Sequence, residues 1–277
     1  MIKTRFTELL GCERPIVLAG MGPFTTYKTA TLVSNAGGVG LTSHWGILSP
    51  VNPQTFQLDP NGIIFSSVKK MKYDLKYFEE NLNDGAVAGC NVRVARMSVD
   101  APRVIRTIVK EREKNKKLKE CLKIVVTSAG NPKPPNKIIN DPKFYKDGKP
   151  DLLHFHVSPS LALVRNTIKS GCDGVVAVGI EGGGHQSYEQ ICTSVLIPET
   201  RDEFPDTPIV AGGGFFDGNT LASALALGAD AIQMGSRFIA TSDGEFHINF
   251  KNALIKGQDS DTMICAGGFG PIRLLKN

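Results

Sequence analysis

Short, almost wholly apolar runs bounded by Gly, Pro or polar residues recur along the chain, at residues 15–20, 39–42, 87–94, 124–127, 152–157, 174–178, 208–211 and 231–234. Strands with one wet face alternate polar and apolar positions. Runs without that alternation are expected where both faces are covered, as in a parallel sheet. Between them lie stretches of helical spacing at 26–35, 69–82, 101–120, 160–170, 219–227 and 245–256, and a segment before Phe204 that reads as irregular or helical. Eight strands alternating with helices predict an α/β chain folded as one (β/α)8 TIM barrel over residues 1–277. Residues 43–62 carry Pro50, Pro53 and Pro60 and are expected to lie over the barrel mouth. A Pro- and Lys-rich loop is expected after Pro132, running to Pro150.

The densest pattern is PIVAGGGFFDGNTLASALALGADAIQMGSRF, residues 208–238. Gly212, Gly213 and Gly214 follow one predicted strand. Gly235 and Ser236 follow the next, directly after Gln233 and Met234. Asp217 is placed to cap helix 219–227 and Gly228 to end it. Bare backbone exposes amide N–H groups, so two such turns on successive parallel strands can converge on one anion, a phosphate. In an eightfold barrel that site follows strands seven and eight. The alternative is a pair of tight βα turns with no ligand. The spacing does not fit GxxxxGK[ST], and no GxGxxG follows the first strand, which disfavours P-loop and Rossmann nucleotide sites.

Charge changes this picture little. The net charge is +5, with the excess gathered at 103–123 and 133–149. The first stretch interleaves Glu111, Glu113 and Glu120 and predicts the solvated face of one helix. Without interleaved aromatics or a reader motif, nucleic-acid binding is disfavoured. Cys12, Cys90, Cys121, Cys172, Cys192 and Cys265 show no CxxC and no short metal spacing, which predicts reduced thiols in a cytoplasmic protein. Residues 1–11 are too polar for a secretory signal, and no run of about 18 apolar residues is available to span a membrane.

Chemistry is concentrated in a few side chains. His185 ends GIEGGGH at the carboxyl end of predicted strand six, where barrel enzymes keep their active sites. Three preceding glycines clear the way for a flat ligand, and an imidazole there can act as a general base or as a donor; the alternative is a His that satisfies loop carbonyls. His154 and His156 share one face of strand five. Without a third ligand at suggestive spacing they are expected to be a packed pair rather than a metal site. His44 and Trp45 are candidates to line a pocket or to lie at the surface, and Glu181 to cap a turn or touch substrate. No GxSxG elbow is present.

The motifs PIVLAGMG, VSNAGGVG, CNVRV, TSAGNP, GIEGGGH, PIVAGGGFFDG and LGADAIQMGSRF occur in an order and spacing similar to the nitronate monooxygenase family, also called 2-nitropropane dioxygenases, over about residues 12–275. The resemblance implies a non-covalently bound FMN. Its phosphate would be held at Gly213, Gly214, Gln233, Met234, Gly235 and Ser236. Ala19, Gly20, Met21 and Gly22 would run along the isoalloxazine, Asn91 would hydrogen-bond it, and Gly183 would lie against it. His185 matches the family's catalytic histidine, which manages the proton α to the nitro group. The flavin then takes an electron from the nitronate, and molecular oxygen completes oxidation to a carbonyl compound and nitrite.

Three departures from the family pattern stand out. Val178 stands where members often carry Gln, and Ser187 where Gly commonly follows the histidine. The sequence ends at Asn277 where many relatives continue, so the pocket is expected to be more open, or completed by a second subunit of a homodimer. A related alternative is an FMN-dependent enoyl-thioester or enoyl-acyl-carrier-protein reductase using NAD(P)H, with Lys133–Lys149 meeting a phosphopantetheine or carrier. Others are a flavin-binding protein without turnover and a sugar-phosphate barrel without flavin.

Overall fold

The computed structural model describes residues 2–22, 25–44, 67–96, 98–267 and 270–276. Its strands, in chain order, are β1 (Ile16–Leu18), β2 (Val39–Ser43), β3 (Val87–Arg93), β4 (Leu122–Ser128), β5 (Leu153–Ser158), β6 (Gly174–Val178), the two-residue β7 (Gly184–His185), β8 (Ile209–Gly212), β9 (Ala231–Met234), β10 (Thr262–Gly267) and β11 (Gly270–Leu275). All eight runs singled out in the sequence become parallel strands of a closed barrel, β1-β2-β3-β4-β5-β6-β8-β9. Pairing of β9 with β1, Ile16 with Ile232 and Leu18 with Met234, closes the ring. The fold is the expected (β/α)8 barrel.

Each strand is apolar on both faces because each face packs on something. Val17, Leu41, Val126, Phe155, Val176 and Val210 fill the lumen. Helix Arg5–Leu10, just before β1, adds Phe6 to that cluster, edge-on to Phe155 with centroids 6.1 Å apart. Burying such a ring is worth about 1.5–3 kcal/mol. The alternate residues face outward. Cys90 and Val92 meet Met71 and Phe78 of helix Ser67–Asn81 and Ile105 and Ile108 of helix Ala101–Lys114. Ala177 and Ala211 meet Leu196 of helix Thr193–Glu203 and Leu221 of helix Gly218–Ala226.

Three expectations from the sequence are corrected. The single helix predicted at 101–120 is two, broken at Asn115, whose side chain accepts the Leu118 N–H and restarts the chain as Lys116–Cys121. Nor is that stretch wholly a solvated face: Arg112 is fully buried, bonding Glu113 and Asp151 and the carbonyls of Leu122 and Lys119. Val104, Ile105, Ile108, Val109 and Arg112 form one helical stripe, so the arginine inherits the inward face. The Pro/Lys-rich loop contains helix Lys133–Ile139, with its prolines in the first turn, where no intrahelical N–H is needed.

The C-terminal segment supplies an element the sequence did not announce. β10 and β11 form an antiparallel hairpin, and β11 continues the sheet onto β7, pairing Ile272 with His185 and Arg273 with Gly184.

Candidate active site at the carboxyl rim

The two glycine turns lie side by side. β8 pairs with β9 through Gly212 and Gln233, so residues 213–214 and 234–236 leave the rim from neighbouring strands. β1 joins them on the other side, because the Ala19 N–H donates to the Met234 carbonyl at 2.9 Å. A Cβ built on Gly235 would sit 3.6 Å from Met21 Sδ and 3.8 Å from Ala19 Cβ. Thus residues 19–22, 213–214 and 233–236 form one stretch of rim. Gln233 faces the lumen, whereas the Met234 side chain joins the outer cluster, leaving only its backbone at the turn.

Each glycine has its own reason. Gly213 has φ 98° and Gly214 φ 80°, left-handed backbone that side chains adopt at a cost. A Cβ on Gly213 would also press to 2.8 Å from the Gly182 nitrogen. Gly20 is needed by its neighbour, since a Cβ there would overlap the Asn91 side chain. Asn91 is buried in the lumen and donates from Nδ2 to the Val126 carbonyl at 3.2 Å. Gly183 is different: its φ is not left-handed, and a Cβ on it would meet nothing within 4 Å.

His185 follows two residues later, half-buried, with its backbone fixed by β11 and the next amide, that of Gln186, donating to the Pro271 carbonyl at 2.8 Å. Burial lowers its pKa from the ordinary value, and the positive charge of Arg93 lowers it further, so the ring is held neutral, as a proton acceptor must be. Glu181 caps helix Thr193–Glu203, its carboxylate accepting the Thr193 N–H at 3.0 Å and the hydroxyl at 2.7 Å. At the position of Val178 the wall is apolar: the side chain packs against Gly182 and Gly212.

The remaining histidines take other parts. His44 is buried, its Nδ1 accepting the Arg93 backbone N–H at 3.1 Å, and desolvation pulls its pKa to about 4. Trp45 and residues 45–62 of the predicted mouth loop lie outside the described residues. His154 and His156 point out of the barrel, away from the rim, and share Thr127 Oγ1 at 2.7 Å each. No group of three or more metal-ligating side chains occurs among the described residues, and no described helix is long and apolar enough to cross a membrane. A groove of about 420 Å³ lies on the outer wall between helices Tyr27–Asn35 and Gly218–Ala226, lined by Leu32, Leu221 and Ile232 but by neither His185 nor Asn91. Met234, Asp217 and Arg237 at one end bring it up to the back of the glycine turns.

Sequence reasoning missed Arg93 and the β10–β11 hairpin at this site. Arg93 was legible: it stands two residues after Asn91 on the same strand and so on the same face. The hairpin had no local signal, because its meaning lies in a pairing with residues far back in the chain.

Comparison with known proteins agrees with this fold. Residues 3–277 match the nitronate monooxygenase family. The chain is 30% identical over 246 residues to a (3aS,4S,5R,7aS)-5-hydroxy-7a-methyl-1-oxo-octahydro-1H-indene-4-carboxyl-CoA dehydrogenase of Mycobacterium tuberculosis, covering 87% of this chain and 57% of that protein. Against a probable nitronate monooxygenase of Staphylococcus aureus it is 26% identical, covering 95% of this chain and 75% of the relative. FabK from Thermotoga maritima superposes with a TM-score of 0.76 at 28% identity, over all of this chain and 75% of FabK. Nitroalkane oxidase from Streptomyces ansochromogenes, at 22% identity and a TM-score of 0.71, shares the fold. The chain therefore spans between about half and three quarters of the length of these relatives.

Proposed function

The chain belongs to the nitronate monooxygenase family of oxidoreductases, and from that premise we propose that it oxidises nitronates or nitroalkanes with molecular oxygen, using FMN, to a carbonyl compound and nitrite. One observation carries the reading: backbone from β1, β8 and β9 meets at a single stretch of rim, with His185 beside the open space above Gly183. Neither packing nor φ asks for glycine at 183, whereas a flat ring lying on that backbone does. The residues present thus fit a flavin.

Bound FMN would supply a reversible electron acceptor. The chain does the rest. Amides at 213–214 and in the first turn after Gly235, where helix geometry leaves N–H groups without intrahelical partners, would receive the phosphate. Asn91 would hold the ring system from the lumen, and residues 19–22 would line its edge. His185, held neutral, accepts the proton α to the nitro group on a ring nitrogen.

A second reading uses the same rim for reduction of an enoyl thioester by NAD(P)H. It is favoured by the likeness to FabK and to the carboxyl-CoA dehydrogenase. Purified protein decides between them. A flavin spectrum with oxygen uptake on an alkyl nitronate supports the first; NAD(P)H oxidation driven by a crotonyl thioester, without nitronate turnover, replaces it with the second. A colourless protein that takes up no added FMN removes both.

A further inference from the structure

We propose that Arg93 is a specificity-determining residue that seats a planar oxyanion of the substrate, a nitronate or a carboxylate, beside His185. This rests on the oxidoreductase reading above and adds the charge of the ligand to it.

The placement follows from strand alternation. On β3, a Cβ at Gly89 would strike Ile124 and Leu41, both lumen residues, and Asn91 touches Gly20 across the lumen. Arg93, two residues further and last in the strand, therefore leaves the same face at the carboxyl rim, in register with Ser128. Its stem is fixed at two points: the backbone N–H donates to His44 Nδ1 and Nε donates to Ser98 Oγ at 3.3 Å. A guanidinium carries five N–H donors in a fork that matches two coplanar oxygens.

Two other charged side chains of this region have protein partners, as Arg93 itself has in Ser98. Arg273, on β11 opposite Gly184, donates to Thr262 Oγ1 at 2.7 Å and toward the Ile180 carbonyl. Glu181, in the same loop, caps the helix at Thr193. Behind Arg93, Lys70 is paired with buried Asp74, and Asp100 faces His44. The field that reaches the imidazole is the positive one of Arg93, and it disfavours a second cation there. One side chain thus carries the charge that attracts the anion, while its neighbour stays neutral to accept a proton.

The test compares wild type with Arg93→Met and Arg93→Lys, with flavin content and circular dichroism confirming that each is loaded and folded. Arg93→Met is expected to raise KM for an alkyl nitronate about tenfold, the loss of one charge-assisted contact, while KM for the neutral nitroalkane changes less than about twofold. Arg93→Lys should recover little of it, because a point charge does not replace the fork. Independently of turnover, NMR titration of the His185 ring should show its midpoint rising in Arg93→Met, and acetate should perturb that ring in wild type but not in the variant. Competitive inhibition by acetate in wild type marks a carboxylate seat; nitronate selectivity without it marks a nitronate seat. Equal KM changes for charged and neutral substrates together with an unmoved midpoint would overturn the proposal. If wild type turns over no nitronate, the acetate and midpoint results still decide the role of Arg93, separately from the reaction.

Discussion

The histidine pair on β5 and the single histidine on β7 divide the molecule into a closed region and an open one. His154 and His156, on the outer face of β5, are 0% and 3% exposed. Asn136 donates from Nδ2 to the carbonyls of Ser170 and Gly171, which turns its Oδ1 toward His154 Nδ1 at 2.8 Å. Both rings meet the Thr127 hydroxyl, at His154 Nε2 and at His156 Nδ1. Desolvation holds the two rings near pKa 3 and 4. His185 has a fixed backbone but a half-exposed ring. Identical chemistry is thus sealed where the ring is fully buried and reachable from outside where it is only half so.

The comparison is broken most directly at His185. His185→Asn is expected to keep flavin and fold and to lower kcat on a neutral nitroalkane by about 100- to 10,000-fold, the usual worth of a positioned base; undiminished turnover would remove the ring from the mechanism. The closed pair should respond in the opposite currency. Thr127→Val strands two buried ring nitrogens and should cost about 1–3 kcal/mol in urea unfolding, with kcat on the folded protein unchanged.

Acid sharpens the contrast further. The folded pKa values of the pair lie below the unfolded value of about 6.5, so below that pH the unfolded chain binds protons that the native one refuses. Stability should be full above about pH 6.5 and fall as pH drops toward 4 and 3, by at most about 1.4 kcal/mol per unit for each ring. His156→Gln should flatten the slope in denaturation measured from pH 7 to 5; an unchanged slope would assign it to other groups. The smallest effect on the fold belongs to Gly183→Ala. With open space around the new methyl, stability should shift by less than about 0.5 kcal/mol. Flavin affinity should still drop. A variant that binds flavin as wild type does would place the ring elsewhere.

Much of this was legible before any coordinates. The eight strands announced themselves because both faces of each are buried, leaving runs such as GVVAV and PIVAGG without polar interruption. The adjacency of the two turns followed from consecutive parallel strands. Alternation on β5 could also have decided the histidine pair, since Leu153, Phe155 and Val157 claim the lumen and send His154 and His156 outward. What stayed hidden is non-local. The inward turn of Arg112 is answered by Asp151, on a separate segment, and the partner of Gly184 is Arg273. Nothing in either local sequence encodes such a meeting.

The ladder between β7 and β11 has a practical consequence. The imidazole hangs from the same rail as β11, so whatever displaces residues 270–276 displaces His185 as well. Loss of residues 270–276 should therefore leave the far-ultraviolet dichroism nearly unchanged while turnover falls.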